Sequence, residues 1–168
     1  RPADYVIHGV KLVGQAGDRV VHVEAVFDLE TTGPWVVVPI ALNEASLESA
    51  EGLTGRPVVG PLSILRGQLG RKAPSSSGMG MLIRDAGRVE ATVRFAVPIR
   101  SKPGESNFSL ALPSAALVQL DARLPQPGLR VSVGGALSLD PAKGTASETH
   151  IRAFFGPGAR ARVTWNPR

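Results

Sequence analysis

Residues 88–99 read Arg88-Val89-Glu90-Ala91-Thr92-Val93-Arg94-Phe95-Ala96-Val97-Pro98-Ile99. Val89, Ala91, Val93, Phe95, Val97 and Ile99 alternate with Arg88, Glu90, Thr92, Arg94, Ala96 and Pro98. A period of two sends one row into a core and the other into solvent, the pattern of a half-buried β-strand. At roughly 3.3 Å per residue this strand runs about 40 Å. Its outer row, Arg88, Glu90, Thr92 and Arg94, mixes both signs of charge and belongs in water. Just before it, Asp85-Ala86-Gly87 reads as a three-residue hairpin loop with Gly87 as the left-handed residue. On that reading residues 81–84 are the first arm of a hairpin and 88–99 the second.

The same alternation recurs on both sides. Residues 4–15 form a first strand, apolar in part on both parities, and Ala16-Gly17-Asp18 turns it into a second. There Val21, Val23, Ala25, Phe27 and Leu29 point inward and His22, Glu24 and Asp28 outward. Trp35 to Ile40 is apolar on both parities, which predicts a strand covered on both faces, with Pro39 at an edge or bulge. Residues 41–55 admit a short helix capped by Asn43 or a strand on Ala45, Leu47 and Ser49; the β context favours the strand. Residues 56–70 read as two short strands broken at Gly60-Pro61, and residues 71–80 as a polar loop. Further strands follow on Phe108–Leu112, Val118–Leu124, Leu129–Val133, Leu137–Leu139, Thr149–Phe155 and Ala161–Trp165. About ten or eleven strands, with turns every eight to twelve residues and no long helical pattern, predict an all-β fold. The expected architecture is a single domain over residues 1–168, two antiparallel sheets packed face to face, with little or no helix.

Composition is consistent with this. The chain is 43% hydrophobic and 20% charged, the balance of a folded globular domain. Nineteen glycines and fourteen prolines are spread between the apolar runs as turn punctuation. Cysteine is absent, which excludes disulfides, thiolate metal sites and a cysteine nucleophile. No run approaches the roughly 18 apolar residues of a membrane span. The formal charge is +5, mostly from scattered arginines, with Arg71-Lys72 and Arg160 with Arg162 the densest clusters. The chain opens at Arg1, from which it is expected to be a processed product or a module of a longer protein.

Five of these elements together carry a resemblance: Trp35-Val36-Val37-Val38-Pro39-Ile40-Ala41-Leu42, Val97-Pro98-Ile99, Ser109-Leu110-Ala111-Leu112-Pro113, Leu120-Asp121-Ala122-Arg123-Leu124-Pro125 and Arg162-Val163-Thr164-Trp165. In this order they resemble the β-sandwich modules of large multidomain bacterial envelope proteins, over most of the chain. That family has no assigned chemistry. The resemblance implies a sandwich in an extracytoplasmic setting (periplasmic, cell-surface or secreted) and names no active residue.

Catalytic patterns are missing. His22 could reach Glu24 and Asp28 along one strand face, but a metal site would need a further ligand from a neighbouring strand. His8 and His150 have no partner close by in the sequence. Gly67 to Lys72 lacks the spacing of a phosphate loop, and Gly78-Met79-Gly80 lacks a third glycine. Ser75-Ser76-Ser77 is a loop composition, and no G-x-S-x-G elbow occurs. Glu44, Glu48 and Glu51 lie close along the chain, and nothing marks one of them as an acid of raised pKa. Trp35 and Trp165 fall on apolar parities and are expected in the core. Nucleic acid is disfavoured, since aromatics are not interleaved with the basic residues.

The expectation is therefore a non-enzyme without metal or cofactor. It would serve structure or protein–protein contact, either with other protein modules or by self-association through edge strands. A carbohydrate-binding module for acidic glycans is the alternative.

Overall fold

The computed structural model describes residues 4–42, 45–52, 58–70, 78–142 and 144–167. In chain order the strands are β1 (Tyr5–Ala16), β2 (Val20–Thr31), β3 (Val36–Ala41), β4 (Ser46–Gly52) and β5 (Val58–Pro61). After the helix α1 (Leu62–Gln68) come β6 (Met79–Ile83), β7 (Gly87–Pro98), β8 (Arg100–Lys102), β9 (Glu105–Ala111) and β10 (Val118–Leu124). β11 (Arg130–Gly134), β12 (Ser138–Ala142), β13 (Thr149–Phe155) and β14 (Arg160–Asn166) complete the chain. They form a seven-stranded sheet, β12-β13-β10-β1-β2-β7-β4, a four-stranded sheet, β11-β14-β9-β8, and a three-stranded sheet, β3-β6-β5. One continuous core draws Val23, Phe27 and Phe95 from the first, Phe108, Val163 and Trp165 from the second, and Val38, Ile40 and Met81 from the third. The all-β, sandwich-like fold class expected from periodicity is what the chain adopts.

The long strand at residues 88–99 is β7, and its row Val89, Ala91, Val93, Phe95 and Val97 is buried. It lies inside the large sheet, antiparallel to β2 on one side and to β4 on the other. β2 presents Val21, Val23, Ala25, Phe27 and Leu29 to the same core. β1 shows why its apolar residues occupy both parities: a register shift between Ile7 and Gly9 switches the inward row from Ile7 to Val10, Leu12 and Ala16.

Several details depart from the expectations. Among the described residues the sheets number three, because β3, β6 and β5 form a separate small sheet. The large sheet is not wholly antiparallel, since β1 and β10 run parallel with Val10 opposite Val118 and Gln15 opposite Arg123. Residues 81–87 do not make a hairpin: β6 pairs with β3 and β5, whereas β7 pairs with β2 and β4. Gly87 does take positive φ (114°), but it redirects the chain between sheets. The buried Thr31 hydroxyl donates to the Asp85 carbonyl at 3.1 Å, tying this crossover to the end of β2. Residues 100–106 form a short hairpin of β8 and the start of β9. The strand expected at Leu137–Leu139 is β12, which runs from Ser138 to Ala142.

The break at Gly60-Pro61 leads into α1, not a second strand. Leu62 and Leu65 are one helical turn apart and pack with Val37 and Leu82, and Leu69 joins them. The first helical N–H, on Leu62, donates to the Gly78 carbonyl at 3.0 Å. This second small core covers the outer face of β3, which accounts for a strand apolar on both parities. Pro39 stands where expected, beside a register shift on the edge strand β3. Of the loop expected at 71–80, residues 71–77, with Arg71-Lys72 and Ser75-Ser76-Ser77, lie outside the described residues, as do Asn43 and Glu44, while Met79 and Gly80 already belong to β6.

Candidate functional site

The solvent face of the seven-stranded sheet carries most of the titratable groups singled out in the sequence. One row of cross-strand neighbours crosses all seven strands: Asp140, Arg152, Asp121, Val13, Glu24, Arg94 and Ser49. Charges of opposite sign meet along it. Arg152 forks onto Asp121, with its Nε 2.9 Å and an Nη 3.2 Å from the two carboxylate oxygens. Arg94 bridges Glu24 at 3.1 Å and Glu51 at 3.2 Å, joining β2, β7 and β4. Arg88 forks onto Asp28 at 2.8 and 2.7 Å.

All three histidines lie on this face, each against a glutamate: His8 with Glu30 at 3.2 Å, His22 with Glu48 at 2.9 Å, and His150 with Glu148 at 3.3 Å. His22, Glu24 and Asp28 therefore do not converge: His22 turns to Glu48 of β4, and Glu24 and Asp28 turn to Arg94 and Arg88 of β7. Among the described residues no group of three or more His, Asp or Glu is arranged to hold a metal ion. Glu48 and Glu51 face a histidine and an arginine rather than each other. Gly78-Met79-Gly80 runs into strand β6 instead of a phosphate-binding turn.

These pairs have a pH signature. The Arg88 hydrogen bonds hold the Asp28 carboxyl below its ordinary 3.8. Burial pushes Asp121 up, but hydrogen bonds from Arg152 and Gln119 outweigh it and leave it below 3.8. Hydrogen bonds from Gln15 and His150 hold Glu148 below its ordinary 4.5. A carboxyl whose pKa falls on folding adds stability that is present above its unfolded value and lost as pH drops through its folded one. Urea midpoints are therefore expected to stay level down to about pH 5 and to decline from about 4.5 downward. Asp121→Asn should flatten part of that decline. A stability that rises between pH 5 and pH 3 would contradict the assignment.

A different surface surrounds the small sheet. Trp35, expected in the core, is 50% exposed. Its backbone is left-handed (φ 57°), so it stands before β3 and outside the strand alternation that buries Val36 to Val38. A bulky residue in that region costs of order 1–3 kcal/mol. The Trp35 N–H donates to the Arg84 carbonyl at 3.2 Å, and the Arg84 guanidinium lies 5.9 Å from the ring centroid. Ring and cation are thus held together at the rim of the small sheet. Val37, Leu82 and Val58 form one cross-strand row on the face that α1 partly covers. Val58 at the end of that row (37%) and Ile64 of α1 (56%) are exposed. Trp165 is core, 6% exposed and edge-on to Phe108 at 6.1 Å. The two tryptophans had the same signal in the sequence; the left-handed residue that separates them had none.

Between the edges β11 and β12 lies a cleft of about 550 Å³. Leu129, Val131, Leu139 and Ile151 supply its apolar lining, and Thr145, Glu148 and His150 polar groups. The Thr149 hydroxyl closes it at one end, donating to the Gln126 carbonyl and accepting from the Leu129 N–H.

The described residues define an all-β, sandwich-like fold. No family model and no curated protein sequence matches the chain. Solved structures do. A zinc metallopeptidase of the M1 type from Deinococcus radiodurans is similar over 99% of this chain, with a TM-score of 0.61 and 8% identity. A variant of a two-domain M1 zinc metallopeptidase bound to L-tryptophan gives a TM-score of 0.60 at 7% identity. The native LTA4 hydrolase of yeast gives 0.55 at 8% identity. At such identities the likeness is one of fold. The chain spans 43%, 43% and 29% of those three chains, less than half in each case. No helix among the described residues is long and apolar enough to cross a membrane.

Proposed function

We propose that this chain is a non-catalytic β module that makes protein–protein contacts in an extracytoplasmic, cell-envelope protein. The observation that carries the reading is Trp35, half exposed in a strained backbone where the chain enters β3. Tryptophan is the residue type most enriched among the anchors of protein interfaces. Strain of this kind persists where the surrounding structure imposes it, and it marks contact or switch positions more often than inert ones. In the structural neighbours a region of this fold is under half of a longer chain, one of them described as two-domain, which supports a module that works beside other domains. The likeness of the strand motifs to envelope modules supports the setting.

Self-association through edge strands is the second route. β3 and β4 carry register shifts, β5 and β12 contain prolines, and β8 is Arg-Ser-Lys, all devices that discourage pairing. β11, Arg-Val-Ser-Val-Gly, is the described edge with neither proline, shift nor run of charge.

Acrylamide quenching of a Trp165→Phe variant, which reports Trp35 alone, tests the reading. In the full-length product of the gene, with any further tryptophan replaced by phenylalanine, or with rising concentration if the chain pairs with itself, Trp35 is expected to become at least twofold less quenchable than in the dilute 168-residue chain. Equal quenching under all these conditions would refute the contact role. Hydrolysis of peptide or glycoside substrates by the purified chain would refute the non-catalytic one.

A further inference from the structure

The outer face of the four-stranded sheet has a charge arrangement unlike that of the large sheet. β14 buries Ala161, Val163 and Trp165, so Arg160, Arg162 and Thr164 face outward. β9 buries Phe108 and Leu110, so Asn107 and Ser109 face outward beside them. The register sets Arg162 opposite Ser109 and Arg100 opposite Asn107. At the corner where β7 passes into β8, Arg100, Lys102, Arg160, Arg162, Asn107 and Ser109 line a dent of about 320 Å³. No carboxylate lines it. Glu105, 3.0 Å from Lys102, is the acid beside it. Arg100 and Arg162 form no ion pair among the described residues, whereas the arginines of the large sheet named above are all paired.

Like charges gathered on neighbouring strands work against stability, so folding does not account for this cluster. We propose that this face binds an acidic polysaccharide, an extended chain bearing carboxylates or sulfates. Arginine forks match both groups and hold them by charge-assisted hydrogen bonds. Asn107, Ser109 and Thr164 are short neutral partners suited to sugar hydroxyls. No aromatic ring among the described residues lies on this face. It therefore offers neither the stacking platform that single-stranded nucleic acid uses nor the apolar anchor that a protein partner needs. The proposal is independent of the Trp35 reading, which concerns the other small sheet.

Salt-gradient elution from immobilised heparin, together with soluble polygalacturonate as a carboxylate-only probe, tests it. The native chain is expected to bind at least one of the two. Arg100→Ala with Arg162→Ala should weaken that binding on the order of a hundredfold, about tenfold per arginine. Arg88→Ala, which removes an exposed but paired charge, should leave elution within twofold. Because the substituted side chains are exposed and their mutual repulsion is relieved, the thermal midpoint of the double variant is expected not to fall and serves as the folding control. The proposal is overturned if the double variant elutes with the native chain, if neither polysaccharide binds, or if duplex DNA or an acidic protein of matched charge competes more strongly than both polysaccharides.

Discussion

Phe95→Ala is expected to destabilise the chain by about 3–5 kcal/mol, read as a lowered urea midpoint with an unchanged slope. Phe95 is 1% exposed and sits mid-strand in β7, with Val23 of β2 on one side and Leu47 of β4 on the other. Removing the ring leaves a cavity that strands hydrogen-bonded on both sides cannot collapse to fill. For a domain of this size the thermal midpoint should fall by roughly 8–16 °C for a loss of about 4 kcal/mol. Arg94→Ala, one residue away, should cost no more than about 1 kcal/mol. It breaks the ion pairs to Glu24 and Glu51 but leaves only exposed groups behind. If the two substitutions cost the same, the assignment of faces along β7 is wrong.

Gly135→Ala should cost about 2–4 kcal/mol by a different mechanism. Gly135 follows β11 at the point where the chain leaves the four-stranded sheet for β12 of the large one. Its φ is +86°, a region where an L side chain costs about 1–2 kcal/mol. A Cβ there would also lie 2.2 Å from the Arg160 carbonyl oxygen, which belongs to the backbone of β14. That oxygen cannot rotate away, so the sheets must shift, at an overpacking cost of about 1–3 kcal/mol. Asn accepts left-handed backbone better than Ala, so Gly135→Asn separates the two contributions. It should remain costly, because the clash remains. Gly128→Asn, at φ +65° with open space around it, should cost a few tenths of a kcal/mol to about 1. A harmless Gly135→Asn would remove the steric account.

The cross-strand pairs of the large sheet could not be read from the chain. Glu24, Arg94 and Glu51 lie on β2, β7 and β4, and they meet only because β7 is placed between the other two. Asp121 lies under Arg152 through the β10–β13 register. The basic dent depends on the same kind of juxtaposition, since Arg100 and Arg162 are far apart in sequence and share a face only through β9. The helix was missed because α1 is seven residues long and contains Gly67, too short for a helical period to stand out from the β pattern around it. The hairpin expected at Asp85-Gly87 had valid turn chemistry. Turn chemistry says that the chain reverses, but not which sheet receives the next strand.

By itself the sequence determined what depends on neighbours along the chain. The period of two selects strands, and its phase selects the buried row of β2, β7, β10, β13 and β14; alternation of side chains is a local property of extended backbone. Tertiary structure alone decided the parallel meeting of β1 with β10, the partition into three sheets and the exposure of Trp35. The last is the sharpest case. A single left-handed residue takes Trp35 out of the strand's alternation, and that φ is held by packing around β3 and β6 that no local pattern encodes.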